Sequence, residues 1–362
     1  MNDRDRLLIL NMVEGIGSVR ARALLEHFGS TGRLFRAGAD EIANVDKIGR
    51  VLALNLAGSL RKIKISRELK LIDKNKIRVM TFMDPGYPEN LKNIYDPPVI
   101  LYVRGEILPC DDTAVAVVGS RRASFYGMRT AEKIGFELAS RGITVVSGLA
   151  RGVDSSAHKG ALKAGGRTLA VLGSGLSNIY PGEHAELAEK ISRSGAVISE
   201  FPMETIPDRG NFPKRNRVIS GLSMGVVVVE AAEKSGALIT SDSAIEQGRE
   251  VFAVPGKIDS PTSKGTNMLI KQGAKLAGTV DDILEELGLG TRGQNGKPAD
   301  IMPTILDKEE TLVYNLLTGD PRHIDELSGE SDMEISDISR VLFDLEMRGL
   351  VKQLPGKNFV RS

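Results

Sequence analysis

The segment Ala114-Val-Ala-Val-Val118, followed at once by Gly119-Ser-Arg-Arg-Ala-Ser124, decides the fold. A short, wholly apolar run predicts a buried parallel strand. Met128, Ile134 and Leu138 then recur at helical spacing, which predicts that they share one face of a helix. A polar loop with two arginines therefore stands between a strand and a helix. Open α/β sheets bind ligands at this position, and the amide groups at a helix start attract phosphate.

The loop lacks the motifs of the common nucleotide-binding families. It matches neither GxGxxG nor GxxxxGK[ST], so the dinucleotide and nucleoside-triphosphate interpretations lose support. The sequence predicts a different phosphate ligand.

Apolar segments alternate with helical stretches through the middle of the chain. Further strands are predicted at 143–147, 168–172, 196–199, 226–229 and 251–254. Two strand-like segments, 77–82 and 99–103, enclose a proline-rich stretch that should be extended and free of helix. The pattern predicts an α/β domain over 71–287 with a doubly wound, mostly parallel sheet.

A helical domain is predicted at 1–70 because this segment shows helical periodicity and no strand pattern. Its stretch 14–25 resembles a DNA-binding helix-hairpin-helix element, and a weaker copy occupies 45–53. The candidate phosphate contacts of this element are Gly15, Gly17, Arg20 and Arg22. The alternative is a small bundle in which the glycines only form turns.

The C-terminal part has a different character. Residues 288–303 predict a Gly-rich linker, and 304–362 predict three helices and a β-hairpin, a winged-helix domain. Charge separates the two ends: 1–70 hold 13 Lys and Arg against 8 Asp and Glu, whereas 304–362 hold 7 against 12. The basic end suits a polyanion, and the acidic end favours contact with protein.

The loops after the strands should converge at one edge of the sheet, because parallel strands place their carboxyl ends together. The candidate DNA contacts in the first two loops are Gly119, Ser120, Arg121, Arg122, Gly148, Ala150, Arg151 and Gly152. Their glycines permit close backbone approach and their arginines suit phosphate.

A second cationic element, 209–217, carries four cations and an aromatic residue. Its candidate DNA contacts are Phe212, Lys214, Arg215, Asn216 and Arg217. Distributed cations suit a phosphate backbone and an aromatic ring suits a base. The alternative is a solvated helix start in which Arg217 pairs with a carboxylate.

Catalysis has little support in the sequence. Asp154 and His158 could act as an acid/base pair, or simply as a helix cap and a structural histidine. Glu200 and Glu230 at strand ends could orient arginines or act in hydrolysis. The sequence shows no nucleophile beside a base and no metal-binding pattern, so we expect a non-catalytic protein without metal or cofactor.

Several long motifs resemble the DNA-processing protein A (Smf) family in order along 77–285. They are Gly119–Ser124, Ser147–His158, Phe212–Ser223, Tyr87-Pro, Asp96-Pro-Pro, Ser235–Thr240 and Val254-Pro-Gly256. The resemblance implies an extended Rossmann-like fold that binds single-stranded DNA, usually as a homodimer. It also implies a role in natural transformation, where incoming strands are protected and a RecA-type recombinase is loaded onto them. DNA contacts at Arg121 and at 212–217 follow from the same resemblance.

Two other functions stay open. One is a nucleoside-monophosphate phosphoribohydrolase using the same edge of the sheet, although the PGGxGT signature of that class is missing. The other is a protein-binding adaptor. The single cysteine, Cys110, the charged start and the lack of a long apolar run favour a cytoplasmic protein without membrane contact.

Overall fold

A computed structural model describes residues 1–289, 308–318, 320–331, 333–347 and 350–361. They belong to two compact units, one within 1–290 and the other within 291–362. The first unit opens with helices α1 (Asp3–Asn11), α2 (Ser18–Phe28), α3 (Thr31–Leu34), α4 (Ala39–Ala43), α5 (Arg50–Lys62) and α6 (Ser66–Lys74).

A nine-stranded sheet follows. Its strands are β1 (Arg78–Thr81), β2 (Ile100–Gly105), β3 (Ala114–Val118), β4 (Thr144–Ser147), β5 (Thr168–Val171), β6 (Ala196–Ser199), β7 (Gly225–Val228), β8 (Glu250–Ala253) and β9 (Lys275–Leu276). The helices between and after them are α7 (Glu89–Lys92), α8 (Phe125–Ser140), α9 (Val153–Lys163), α10 (Ala185–Ser194), α11 (Asn211–Gly221), α12 (Gly236–Glu246), α13 (Lys264–Lys271) and α14 (Val280–Glu286). The strand order is β1-β2-β6-β5-β4-β3-β7-β8-β9.

The sheet confirms the predicted mostly parallel Rossmann-like fold. The seven strands from β3 to β9 pair in parallel, and β1 and β2 extend the sheet antiparallel beside β6. Strand β3 is buried at every position, with Ala116 in the core of one face and Val117 in the core of the other. The order reverses between β3 and β7, so the ligand crevice of such folds is expected there.

Two local predictions were wrong, and one strand was missed. Met128 is 37% exposed and does not share the buried face of α8, which is formed instead by Ala131, Ile134 and Leu138. The proline-rich stretch contains the short helix α7, which starts just after Pro88 because proline is tolerated at a helix start. Strand β9 was missed because two exposed residues carry no strand pattern.

The N-terminal helices share a hydrophobic core with the sheet. Leu8 and Leu56 belong to the same buried cluster as Val79 and Ile100. Helix α6 continues to Lys74, four residues beyond the predicted domain boundary, and packing is continuous across it. This continuity fixes the N-terminal hairpins beside the sheet.

Both predicted N-terminal hairpins are present and share one backbone plan. Gly15 and Lys47 have positive φ of 82° and 64°, and Gly17 and Gly49 then cap α2 and α5. The second copy, which lacks the glycine at its turn, therefore adopts the same hairpin with a lysine in the left-handed region.

The second unit contains α15 (Lys308–Leu316), β10 (Arg322–His323), α16 (Ile324–Ser331), α17 (Ile335–Met347), β11 (Val351–Leu354) and β12 (Asn358–Arg361). This confirms the predicted helices and hairpin of a winged helix and adds the short strand β10, which pairs with β12. The predicted linker, from residue 290 onward, lies outside the described residues. Within the described ranges, each helix is too short or too polar to span a lipid bilayer.

Candidate nucleic-acid interface

The loop after β3 is anchored to the end of β7. Ser120 N donates to Glu230 O at 2.7 Å, and Ser124 Oγ accepts from Gly127 N at 3.1 Å, which caps α8. Gly119 fits because a Cβ there would lie 2.6 Å from Val153. The loop is therefore held tightly at both ends, while Arg121 and Arg122 project from its exposed middle.

Glu230 is the internal anchor of this loop. Its buried carboxylate accepts from Ser124 N at 2.8 Å, from Ser124 Oγ at 2.6 Å and from Thr262 Oγ1 at 3.3 Å. A Cβ on Gly127 would lie 2.4 Å from the carboxyl carbon, so glycine is required there. These contacts give Glu230 a structural role in holding the loop after β3.

The loop 148–152 packs against the loop 119–124. Gly152 has a φ of 74°, and a Cβ there would lie 2.3 Å from Ser120 O, so only glycine permits this approach. Arg151 is exposed and pairs with Glu183 through two hydrogen bonds of 2.8 and 2.6 Å. This pairing raises the pKa of Arg151.

Arg215 is buried beneath the interface. It is 4% exposed and donates through Nη1 to Gly148 O and Val171 O, both at 2.6 Å. A Cβ on Gly148 would lie 2.2 Å from the same Nη1, so that glycine makes room for the guanidinium. Burial lowers the pKa of Arg215 to about 10, against the opposing effect of Asp154. Arg215 therefore joins the ends of β4 and β5, and it has little surface left for a ligand.

Asn216 is likewise buried. Its Oδ1 accepts from Arg215 Nε at 3.2 Å, and its Nδ2 donates to Gly236 O at 3.3 Å. Both groups of its amide are used inside the protein, so the side chain holds α11 against α12.

Arg217 has several partners inside the first unit. Its guanidinium pairs with Glu200 at 2.5 Å and with Asp96 at 3.1 Å, and it donates to Asp96 O at 2.6 Å and to Ser18 Oγ at 3.0 Å. The side chains of Arg217 and Glu200 are each 13% exposed. The structure therefore shows the carboxylate pairing that the sequence left open, and contact with DNA would require Arg217 to leave these partners.

Three side chains cluster at the surface, and we call them the rim stack: Arg121 and Tyr180 are exposed, and Phe212 is half-buried. The guanidinium carbon of Arg121 lies 4.7 Å from the centre of the Phe212 ring, and the Tyr180 ring centre lies 5.9 Å from the same ring. Gly173 permits this position of the Phe212 ring, because a Cβ on residue 173 would lie 2.8 Å from the ring. Within the described residues Arg121 forms no ion pair, so its cation is available to a ligand.

Lys214 and Arg122 add further accessible charge. Both are exposed, and Lys214 lies on α11 one turn before Arg217. We use "rim" for the loops 119–124 and 148–152 together with Tyr180 and residues 211–217. The rim therefore combines two packed glycine loops with exposed cations and an aromatic surface.

The proposed acid/base pair does not form. His158 Nδ1 lies 2.7 Å from Thr168 Oγ1, while Asp154 Oδ2 accepts from Ala150 N at 3.3 Å. Burial is the main cause that lowers the pKa of His158 to about 3, and burial also raises the pKa of Asp154. The geometry supports a structural role for both residues, but the expected helix cap is wrong: Gly152 is the N-cap of α9, and Asp154 lies within its first turn.

The cations predicted on the first N-terminal hairpin bind backbone. Arg20 donates to Gly15 O at 2.7 Å and to Lys47 O at 3.1 Å, so it ties the two hairpins together. Arg22 donates to Tyr95 O at 3.3 Å and pairs with Glu26 at 3.4 Å. Gly15 and Gly17 are exposed, with Gly17 at the start of α2.

Sequence reasoning missed Tyr180 and Tyr95 as surface aromatics beside cations. Tyr180 follows β5 in one of the loops that were expected to converge at this edge, but its side chain was not predicted as a contact. Tyr95 lies beside Lys47, and no local pattern connects two residues so far apart in the chain.

Comparisons with known proteins show which family the chain resembles. Residues 78–288 match the family described as DNA recombination-mediator protein A, and residues 297–357 match its winged-helix domain. Protein Smf of Escherichia coli is 42% identical over 275 residues, which span 75% of this chain and 74% of that protein.

Two solved structures are similar to the chain. The X-ray structure of DNA processing protein A from Streptococcus pneumoniae matches with a TM-score of 0.69 and 33% identity, over 79% of this chain and 98% of the other. The Helicobacter pylori protein, whose structure is described as showing a single-stranded DNA binding mode, matches with a TM-score of 0.53 and 29% identity, over 59% and 98%. The chain belongs to the DNA recombination-mediator protein A family, as the resemblance predicted.

Proposed function

We propose that this member of the DNA recombination-mediator protein A family binds single-stranded DNA along the rim and performs no catalysis there. The rim stack carries the proposal. It presents two aromatic rings and a guanidinium that forms no ion pair with the described residues, at the crevice edge of the sheet, where phosphates and unpaired bases can be held side by side.

The contacts in this proposal differ by role. Arg121, Arg122 and Lys214 supply exposed charge, and the backbone of Gly119, Ser120, Gly148, Ala150 and Gly152 forms the loop surface, with Phe212 beneath a base. Arg215, Asn216 and Arg217 position the rim from below. Arg151 would reach phosphate only by exchanging Glu183 for it.

Phosphate and stacking contacts read no base edges, so sequence preference should be slight. The Helicobacter pylori relative is described as binding single-stranded DNA, which supports the same ligand here. Protection of incoming strands, loading of a RecA-type recombinase, a homodimer and a cytoplasmic location extend the proposal from the family resemblance.

Binding of fluorescent single-stranded and duplex oligonucleotides, measured by anisotropy across salt concentrations, tests the proposal. Arg121→Ala should weaken binding of unrelated single strands about equally and reduce the salt slope by about 0.7, the contribution of one phosphate contact on a single strand. Arg193→Ala is the matched control, because it removes an exposed arginine from α10 at the opposite edge of the sheet.

Equal binding of duplex and single strands, or an Arg121→Ala protein that binds as tightly as the control variant, would contradict the proposal. In that case the rim would be tested next with nucleoside monophosphates.

A further inference from the structure

We propose that a single strand bound at the rim continues over Tyr95 onto the second N-terminal hairpin, where Lys47 and Arg50 hold its backbone. We call Tyr95, Lys47 and Arg50 the extension site. The inference rests on the proposed function and adds a second contact region to it.

Tyr95 has the chemistry of a stacking platform. It is 78% exposed, although it is a large aromatic side chain. Lys47 Nζ lies 3.2 Å from the Tyr95 hydroxyl and 5.9 Å from its ring centre, and Arg22 donates to the Tyr95 carbonyl. An aromatic face fixed beside two cations suits one unpaired base and its phosphate.

A surface hollow shares Lys47 with this platform. Its volume is about 470 Å³, and Arg20, Lys47, Arg50, Val51 and Asn55 contribute to its lining. Lys47 and Arg50 are exposed there, and Val51 is 74% exposed. Cations beside an apolar surface suit a nucleic-acid strand, because the cations attract its phosphates and the apolar surface contacts its bases.

The extension site is contiguous with the rim. Phe212, Lys214 and Arg217 follow one another on α11, and Arg217 pairs with Asp96, the residue after Tyr95. Arg22 also lies close enough to Asp96 to act on its carboxyl group electrostatically. We therefore place Tyr95 next on the path of a strand that leaves the rim stack past Lys214.

The surroundings favour a single strand over a duplex. Tyr95 can stack only on a base whose face is free, and paired bases in a duplex hide their faces. The net charge of +5 over residues 1–70 supplies a long-range attraction for the same polyanion.

Strand length separates the extension site from the rim. We would compare oligothymidylates of about 6 and about 20 nucleotides, lengths chosen around the site sizes of single-strand grooves. A longer strand offers more equivalent positions to a single site. The wild-type protein should bind the longer strand more tightly than this larger number of positions explains. Tyr95→Leu should remove that gain, weakening the longer strand at least about fivefold while leaving the shorter strand unchanged.

A charge variant and its control sharpen the test. Lys47→Gln with Arg50→Gln should reduce the salt slope for the longer strand by about 1.4 and leave the slope for the shorter one unchanged. Arg61→Gln with Lys62→Gln removes the same charge from the other end of α5, roughly 18 Å away at 1.5 Å per residue, and should change neither slope.

Photo-crosslinking gives a direct readout. The longer strand with 5-iododeoxyuridine near one end should crosslink to Tyr95, and the yield should fall in Tyr95→Leu.

Unchanged binding of the longer strand by both variants would overturn the extension site while leaving the rim intact. If the variants bound duplex DNA more weakly but the longer single strand as tightly as the wild type, the extension site would also be wrong, because the hairpin would then bind a different ligand. Failure of the wild-type protein to bind even the shorter strand would overturn the proposed function itself, so the two failures are distinguishable.

Discussion

Replacing Arg217 with methionine should destabilise the first unit by about 3–5 kcal/mol, the usual cost of leaving one partner of a buried ion pair uncompensated. The estimate rests on burial: the Arg217 and Glu200 side chains are each 13% exposed, and Asp96 is 27% exposed, so solvent screens these charges little. Burial already raises the pKa of Glu200 despite the opposing effect of Arg217. Without the guanidinium, that carboxylate has lost its principal cation.

Urea unfolding followed by far-UV circular dichroism would measure this loss, since the chain has no tryptophan for fluorescence. The cost should shrink as the pH falls, because protonation of Glu200 removes the uncompensated charge. Adding Glu200→Gln to Arg217→Met should recover part of the stability, and the double-mutant cycle should show coupling between the two residues.

The opposite pattern would refute this reasoning. If Arg217→Met costs under about 1 kcal/mol, as an exposed ion pair would, and yet abolishes binding of single-stranded DNA, then Arg217 is a direct DNA contact. Arg121→Ala gives the reference for such a contact, because it should weaken binding with little change in the unfolding midpoint.

Changes at other sites in the first unit test the rim and the pH response of the fold. Gly152→Ala should lower both stability and single-strand affinity, because the new Cβ would lie 2.3 Å from Ser120 O. The control Gly165→Ala has a similar positive φ but open space around it, so it should lower stability alone. Urea unfolding measures the stability and anisotropy measures the affinity. Glu230→Gln should loosen the loop after β3 and weaken single-strand binding, and chromatography of nucleoside-monophosphate incubations should detect no released base with either protein; release by wild type that the variant loses would establish the hydrolase instead. The stability advantage of the wild type over His158→Gln should be complete above pH 6.5 and should decline toward pH 3, by up to about 1.4 kcal/mol per pH unit. The reason is that the pKa of His158 in the folded state, about 3, lies below the ordinary value of 6.5. An advantage independent of pH would show that the histidine titrates normally in the folded state.

The sequence was most informative where burial is uniform. Strands such as β3 are covered on both faces by helices, so every residue must be apolar, and an unbroken apolar run identifies them directly. The loop 119–124 was found for a related reason, because a polar segment must follow a buried strand where the chain returns to solvent. The same reasoning failed for β9, which is exposed and only two residues long.

Local pattern also distinguished the two ends of the chain. Composition and charge distinguished the basic helical end from the acidic winged helix, and glycine spacing identified the first N-terminal hairpin. The second hairpin was harder to recognise, because Lys47 takes the positive φ that glycine takes in the first.

What only the tertiary structure decided is which charges are free. Arg121 and Arg217 look alike in sequence, yet one projects from a loop while the other reaches Asp96, 121 residues earlier in the chain. Whether a cation is available depends on such distant partners, since an ion pair is set by distances that folding creates and not by neighbours along the chain. Apolar periodicity is a local consequence of burial and can be read from the sequence; the pairing of Tyr95 with Lys47, or of Arg217 with Glu200, follows only once the helices and the sheet have packed.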